Sequence, residues 1–462
     1  MLPRMPSPDH SRFLFTLTLT LLLFASAAYA QHRHDSPQPE AAPPGRGHAD
    51  GNSQAQSHEH GEAEASLCDC PLGREGSGTS WQPDATTVHP RTFAIGEWQV
   101  VAHAQISAVF ADEDGPRGDD KFFSTNHVMI SGRRRAGAGV FSVRTMWSLE
   151  PAMGKRGYPL LLQTGETADG VTPLVDRQHP HDLPMELAAT YSRPFGADRT
   201  LYLYAAAVGT PALGPPTFMH RASAVSLPIS PITHHWFDSS HVTFGVVTFG
   251  VVVSPKAKIE ASVFRGREPD QERWGFEKPG LDSFSFRLSV NPTPYLSLQV
   301  SGGQLDDAEQ LHPGADMAKL TASAMFSREW TRLSVDALAA WGRNKRSPAS
   351  FRVPGGIYFM PGAVAQAGLL EATVRVATRH ALVGRFEHAD KDEMFPLNDP
   401  RHITLFGVTR TTAGYVFDVV RTSDAVVGVG GAASWNRVSR DARADYGGSP
   451  RAFQLFVNLS TY

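Results

Sequence analysis

The chain has 462 residues, 43 of them basic and 46 acidic, with a formal net charge of -3 and a pI near 6.7. That balance excludes the basic face a nucleic-acid partner needs. Hydrophobic residues make up 41% and charged residues 19%, and 41 Gly with 34 Pro is too much turn-former for a helical bundle, so the composition reads as β structure.

The first 30 residues read as a secretory signal peptide. Arg4 and Arg12 precede an apolar run from Phe13 to Phe24, and Ala28-Tyr29-Ala30 forms a small-residue cleavage site before Gln31. No later apolar run approaches the ~20 residues of a membrane helix, so membrane insertion of the mature chain has to use strands. Residues 31–95 lack hydrophobic periodicity and are expected to be a disordered, His-rich periplasmic segment. It carries His32, His34, His48, His58, His60, Cys68 and Cys70. Imidazole and thiolate suit copper, zinc, nickel or cobalt ions, although their spacing selects no single metal. The plainer reading is a polar linker that happens to be rich in histidine.

From residue 96 to 462 the pattern changes to a period of two. Trp98, Val100, Ala102, Ala104, Ile106, Ala108 and Phe110 share one face, with Gln99, His103, Gln105 and Ser107 on the other. Phe141, Val143, Thr145 and Trp147 repeat the pattern against Ser142 and Arg144. Strands this long, with an apolar and a polar face, predict an all-β, antiparallel, up-and-down transmembrane barrel of about sixteen strands. Predicted strands fall near 97–111, 122–133, 139–149, 185–195, 200–208, 241–253, 256–265, 282–291, 295–303, 317–327, 330–341, 363–376, 379–388, 402–420, 424–436 and 450–462. Tight turns such as Ser254-Pro255 alternate with longer connections, as in outer-membrane barrels with short periplasmic turns and long external loops. Trp98, Trp147, Trp330 and Trp341 read as interfacial residues, and His103 and His127 as ordinary lumen-facing polar positions.

Two of the long connections concentrate chemistry. Leu174 to Asp182 contains Asp176, Arg177, His179, His181 and Asp182, and Met219 to His241 contains His220, Arg221, His234, His235, Asp238 and His241. With the first strand starting in the periplasm, both open outward, separated by one hairpin. Together with Glu186 they are expected to converge at the outer mouth, where Glu268, Asp270, His388 and Asp390 are further candidates. Three readings stand side by side. The histidines and aspartates could hold a transition metal. An Asp/His pair could activate water or a serine such as Ser239 or Ser240, making a hydrolase. Or the group pins folded-in loops as a structural plug. Arg177, Arg221, Arg265, Arg267 and Arg287 facing carboxylates such as Glu186 and Glu268 would set up a transverse field that sorts ions.

The stretches Leu174 to Asp182, Ala212 to Arg221, His234 to Gly245 and Arg265 to Asp270 resemble those of a family of porin-like bacterial outer-membrane barrels that accompany heavy-metal, particularly copper, handling systems. The resemblance covers roughly residues 140–300 and implies no catalytic residue. It assigns no activity; the barrel and its loop residues together are read as serving passage or binding of a small solute at the outer membrane, with metal ions favoured. Expected partners are outer-membrane lipid, the solute or ion, periplasmic metal-efflux components and, as in many general pores, two further copies of the chain.

Overall fold

The computed structural model describes residues 74–86, 91–196, 198–353 and 356–461. The predicted signal peptide and the residues His32, His34, His48, His58, His60, Cys68 and Cys70 lie outside the described residues. Sixteen long strands form the wall. They are β1 (Trp98–Glu113), β2 (Asp119–Ala136), β3 (Gly139–Trp147), β4 (Pro184–Pro194), β5 (Thr200–Gly209), β6 (Thr243–Ser254), β7 (Ala257–Phe264), β8 (Ser283–Thr293), β9 (Leu296–Leu305), β10 (Met317–Trp330), β11 (Leu333–Arg346), β12 (Ala363–Val376), β13 (His380–Lys391), β14 (Phe406–Arg421), β15 (Ala425–Val438) and β16 (Arg451–Thr461). Each pairs antiparallel with the next, and β16 returns to β1 with Ala104 opposite Thr461 and Glu113 opposite Ala452. The sheet therefore has no open edge. A short strand, Arg91–Ile95, pairs with the first residues of β1, placing Arg91 opposite Ala102, and so continues the edge beyond the end of β16.

The pleat explains why these sequences close around a polar interior. Along β8, Ser283, Ser285, Arg287 and Ser289 are buried, while Phe284, Phe286 and Leu288 point outward. Arg287 is 2% exposed and Phe286 58%, the inverse of a soluble barrel and the arrangement lipid demands. Trp147, Trp330 and Trp341 are also exposed on this outer surface. The same parity places His388 outward on β13, with Glu387 and Arg385 facing in, so His388 does not line the mouth.

The turns divide the barrel into two ends. One carries tight connections such as Ser254 to Ala257, and the other carries the long segments 148–183, 210–242, 265–282, 306–316, 347–362, 392–405 and 439–450. The segment 210–242 folds inward and spans the lumen. Its backbone receives wall side chains from many directions: Ser262 on β7 accepts from Ala212 N, Ser301 on β9 accepts from Gly214 N, and Thr373 on β12 donates to Ser223 O. Gln105 on β1 and Asn458 on β16 donate to Val225 O and Ser226 O. Leu227, Ile229, Ile232, Trp236 and Phe237 then pack with Leu160, Leu161, Leu162, Phe395 and Tyr446 into an apolar core inside the lumen. Each such aliphatic side chain, once buried, contributes about 1.5–3 kcal/mol.

Residues 74–86 and 91–95 correct the expectation of disorder through residue 95. The first stretch lies inside the barrel toward the short-turn end: Thr79 Oγ1 accepts from Arg287 at 2.9 Å, Asn291 donates to Gln82 O at 2.9 Å, and Ala85 N donates to Pro294 O. Trp81, only 3% exposed, packs with Tyr202 and Val252 under the Arg74 guanidinium. Ser77 meets Thr217 of the inward segment, so the two plug pieces touch. A cavity of about 160 Å³ survives between residues 75–81 and the wall, lined by Met129, Arg144, Tyr202 and Lys258 among others.

Candidate functional site: a buried imidazole series in the lumen

Among the described residues, the lumen gathers eight histidines into three groups. His103 of β1 and His127 of β2 meet His220 of the inward segment, with ring centroids 5.3 Å apart for His103–His127 and 5.2 Å for His127–His220. His181 lies edge-on to His241 at 5.1 Å. His179 approaches His234 at 6.5 Å, and His234 contacts His235 at 4.4 Å. A small cavity lined by His127, Glu150, His181, Phe218 and Met219 separates the first group from the second. Thus His103 and His127 are more than ordinary polar wall positions: strand parity aims them at the loop that carries His220.

Ring orientation follows from the hydrogen bonds. A carbonyl oxygen only accepts, so a ring nitrogen beside one carries the proton. His241 Nδ1 donates to Asp238 O at 2.6 Å and His103 Nδ1 to Thr461 O at 2.8 Å. In the neutral ring each then presents its Nε2 lone pair. His241 Nε2 and His127 Nε2 are buried without a hydrogen-bond partner among the described residues. His181 Nδ1 sits 2.8 Å from Glu150, and His179 Nε2 sits 2.9 Å from Glu166, the carboxylate–imidazole pairing that orients metal-binding histidines.

The aspartates expected beside these rings are engaged by cations instead. Asp176 accepts from Tyr446 and Leu162 N and pairs with Arg117 at 2.7 Å; Asp182 pairs with Arg273 at 2.9 Å; Asp238 pairs with Arg221 at 2.7 Å and accepts from Phe218 N. His241 meets the backbone of Asp238 and not its carboxylate, and Ser239 accepts from Lys319, so the Asp/His/Ser relay a hydrolase needs is not assembled there. The transverse field is likewise corrected. Arg287 pairs with Glu260 on the neighbouring strand at 2.8 Å, Glu186 with Arg144 at 2.8 Å, Arg265 with Glu277 at 2.6 Å, Arg267 with Asp307 at 2.8 Å, and Arg177 with Asp119. Arg221 is bound on both sides, by Asp238 and by Glu371 of β12, each at 2.7 Å. Each charge is thus answered by a neighbour and not across the lumen; the pairs Arg287–Glu260 and Arg144–Glu186 are buried, where an unpaired charge would be costly. Glu268 accepts weakly from Gln310 N, and burial, together with the nearby Glu166 and Glu309, pushes its carboxyl well up.

Burial shifts the loop imidazoles. It depresses His234 and His241 well below the ordinary range and His220 to about 3, helped by neighbouring rings. His181 goes the other way: burial would lower it, but Glu150 overrides and raises it. The sign for stability follows. An unfolded chain protonates its histidines near ~6.5 while these three stay neutral, so the folded plug loses stability as pH falls below that point, by up to about 1.4 kcal/mol per pH unit for each proton withheld. His181 is already fully contributing below 6.5. Burial raises Asp176 and Asp182 to about 6, and these oppose the trend only below that pH. Protection of residues 218–241 against hydrogen exchange in the metal-free protein, corrected for intrinsic rates, is therefore expected to fall between about pH 6.5 and 6; unchanged or greater protection contradicts this.

A separate group that the sequence reading missed sits at the long-loop end: Glu309 and His312 from one loop, Glu393 and His402 from another. The available signal was the Glu309-x-x-His312 spacing, which meant little until the fold brought the second loop alongside.

No protein-family model matches this sequence, and no curated protein does. Among solved structures, the anion-selective porin from Comamonas acidovorans superposes with a TM-score of 0.50 at 12% identity, over 79% of this chain and 100% of that one. The barrel has the porin fold. Salmonella typhi OmpF, in a complex with daunomycin, gives 0.48 at 9% identity over 80% and 100% of the two chains. The outer membrane channel DcaP of Acinetobacter baumannii gives 0.47 at 9% identity over 79% and 98%. In this chain the porin fold carries an inward segment, 210–242, whose histidines meet wall histidines.

Proposed function

We propose that this chain is a bacterial outer-membrane channel that binds and passes a small solute, with transition-metal ions the favoured cargo and the N-terminal segment on the periplasmic side. One observation carries the reading: a loop-closed lumen holds buried imidazoles whose Nδ1 protons are committed to carbonyl or carboxylate oxygens, leaving Nε2 lone pairs such as that of His241 without a partner. Neutral imidazole is the ligand that zinc, copper, nickel and cobalt share. Orphaned lone pairs inside a folded barrel are costly unless something binds them. In this reading His181 and His241, with His220 beside them, sample an incoming ion, and the His/Cys segment before residue 74 buffers it on the far side.

The test is equilibrium binding of Zn(II), Cu(I), Cu(II), Ni(II) and Co(II) to the detergent-folded chain, with and without residues 31–70. The expected result is that H181Q/H241Q weakens binding by the barrel at least tenfold. Equal affinity in the variant, with the fold retained, would sink the lumen site. A second reading, a barrel closed by its own loops for structural reasons, is favoured by the charge-paired plug; it predicts neither metal binding nor ion flux. Trimer assembly belongs to the same proposal and is read by crosslinking in native membranes.

A further inference from the structure

The geometry points to a second divalent-metal site, separate from the lumen imidazoles, formed by Glu309, His312, Glu393 and His402 between the 306–316 and 392–405 loops. One ligand atom each from Glu309, His312 and Glu393 lies within 4.8 Å of the others. His312 Nδ1 is 2.8 Å from Glu309 Oε2 and 3.4 Å from Glu393 Oε1, so two carboxylates converge on one ring nitrogen. His402 joins from the second loop with its ring centroid 5.9 Å from that of His312. Its Nδ1 donates to Phe395 O at 2.8 Å, which leaves the lone pair on Nε2.

An ion pair alone does not account for this arrangement. His312 and His402 are fully buried and Glu393 is 2% exposed, yet His312 Nε2, His402 Nε2 and Glu393 Oε2 have no hydrogen-bond partner among the described residues. One proton on His312 cannot serve both carboxylates, and Arg346, which binds Asp392 at 2.7 Å with one nitrogen, reaches Glu393 with the other only at 3.8 Å, a loose ion pair with no hydrogen bond. A divalent cation would supply positive charge to both carboxylates and accept imidazole lone pairs.

The backbone holds the group in place. Glu393 has φ of +61°, a left-handed conformation that a glutamate rarely adopts, kept by its N–H donating to His402 O. The 306–316 loop is closed by Ala308 N donating to Ala315 O and Ala315 N donating to His312 O. Phe351 lies against His312 and Tyr358 against His402, so the hairpin Ala349–Val353 with Gly356–Met360 covers the site. Two imidazoles and two carboxylates suit Zn(II), Co(II) or Ni(II) better than the hard alkaline-earth ions.

Co(II) is the probe, because its visible absorption reports coordination. The full chain, folded in detergent and stripped with a chelator, is titrated with Co(II), and bound cobalt is counted per chain. H312Q and E393Q are each expected to lose one equivalent relative to wild type, along with the corresponding absorption, whereas H181Q/H241Q retains that equivalent. Retention of the wild-type stoichiometry and spectrum by folded H312Q and E393Q overturns the proposal. Should H312Q fail to fold, E309Q and H402Q read the same binding event. Loss in H181Q/H241Q alone would support the lumen reading and refute this one; loss in H312Q alone would do the reverse.

Discussion

Deleting residues 211–240 is expected to turn a nearly closed barrel into an open pore, with single-channel conductance in planar bilayers rising severalfold. A sixteen-stranded barrel is wide enough to leave an aqueous channel when nothing fills it. Here the deleted segment bonds to β1, β7, β9, β12 and β16 and supplies Leu227, Ile229, Ile232, Trp236 and Phe237 to the core inside the lumen. The wall should survive the deletion, because its strand ladder is continuous from β1 to β16 without the segment. Removing residues 74–86 as well is expected to add a further step, since that stretch occupies the short-turn half beside Arg287 and Asn291. Equal conductance in wild type and deletion would mean that the inward segment does not close the lumen.

The largest effect of a single residue is expected at Glu371. This β12 carboxylate is bonded by Arg221 Nε at 2.7 Å, by Ser223 Oγ at 2.9 Å and by Arg385 Nε at 3.3 Å, all buried. Glu371→Ala removes the carboxylate that bridges both guanidinium groups, leaving Arg221 paired with Asp238 and Arg385 bonded to Ile229 O beside Glu387. Stranding a buried charge costs about 3–5 kcal/mol, far more than the pair contributes relative to apolar residues. The expected outcome is release of residues 218–226, seen as faster hydrogen exchange there and a lower unfolding temperature. Adding Arg221→Met should recover part of the loss, because it removes the stranded charge. A Glu371→Ala protein as stable as wild type would show that the ion pair does not anchor the segment.

The barrel was legible because the physics that writes it is local. Alternation such as Phe284-Ser285-Phe286-Arg287-Leu288 fixes both the strand and its lipid face, and tight turns fix the pairing of neighbours. The interior was only half legible. His179, His181, His220, His234, His235 and His241 stand out by density, but which carboxylates face arginines and which face imidazoles depends on loop paths that no short-range pattern encodes. Asp176 is the clear case: its partners Arg117 and Tyr446 come from opposite ends of the chain. Residues 74–86 were misread because glycine, serine and proline make them look like a linker, and Trp81 is the one large apolar anchor among them. His103 and His127 were discounted for a similar reason. Strand parity shows that they face the lumen, but only the fold shows that His220 meets them there.

Passage of transition-metal ions through the imidazole-lined lumen is read by flux into vesicles. Full chain is reconstituted in liposomes that enclose a zinc-sensitive dye, and Zn(II) uptake is compared with that of empty liposomes and of liposomes carrying H181Q/H241Q. The expected result is protein-dependent Zn(II) uptake that falls at least tenfold in the double variant while the barrel stays folded. Uptake no faster than in empty liposomes, or the same with and without the two histidines, would contradict it.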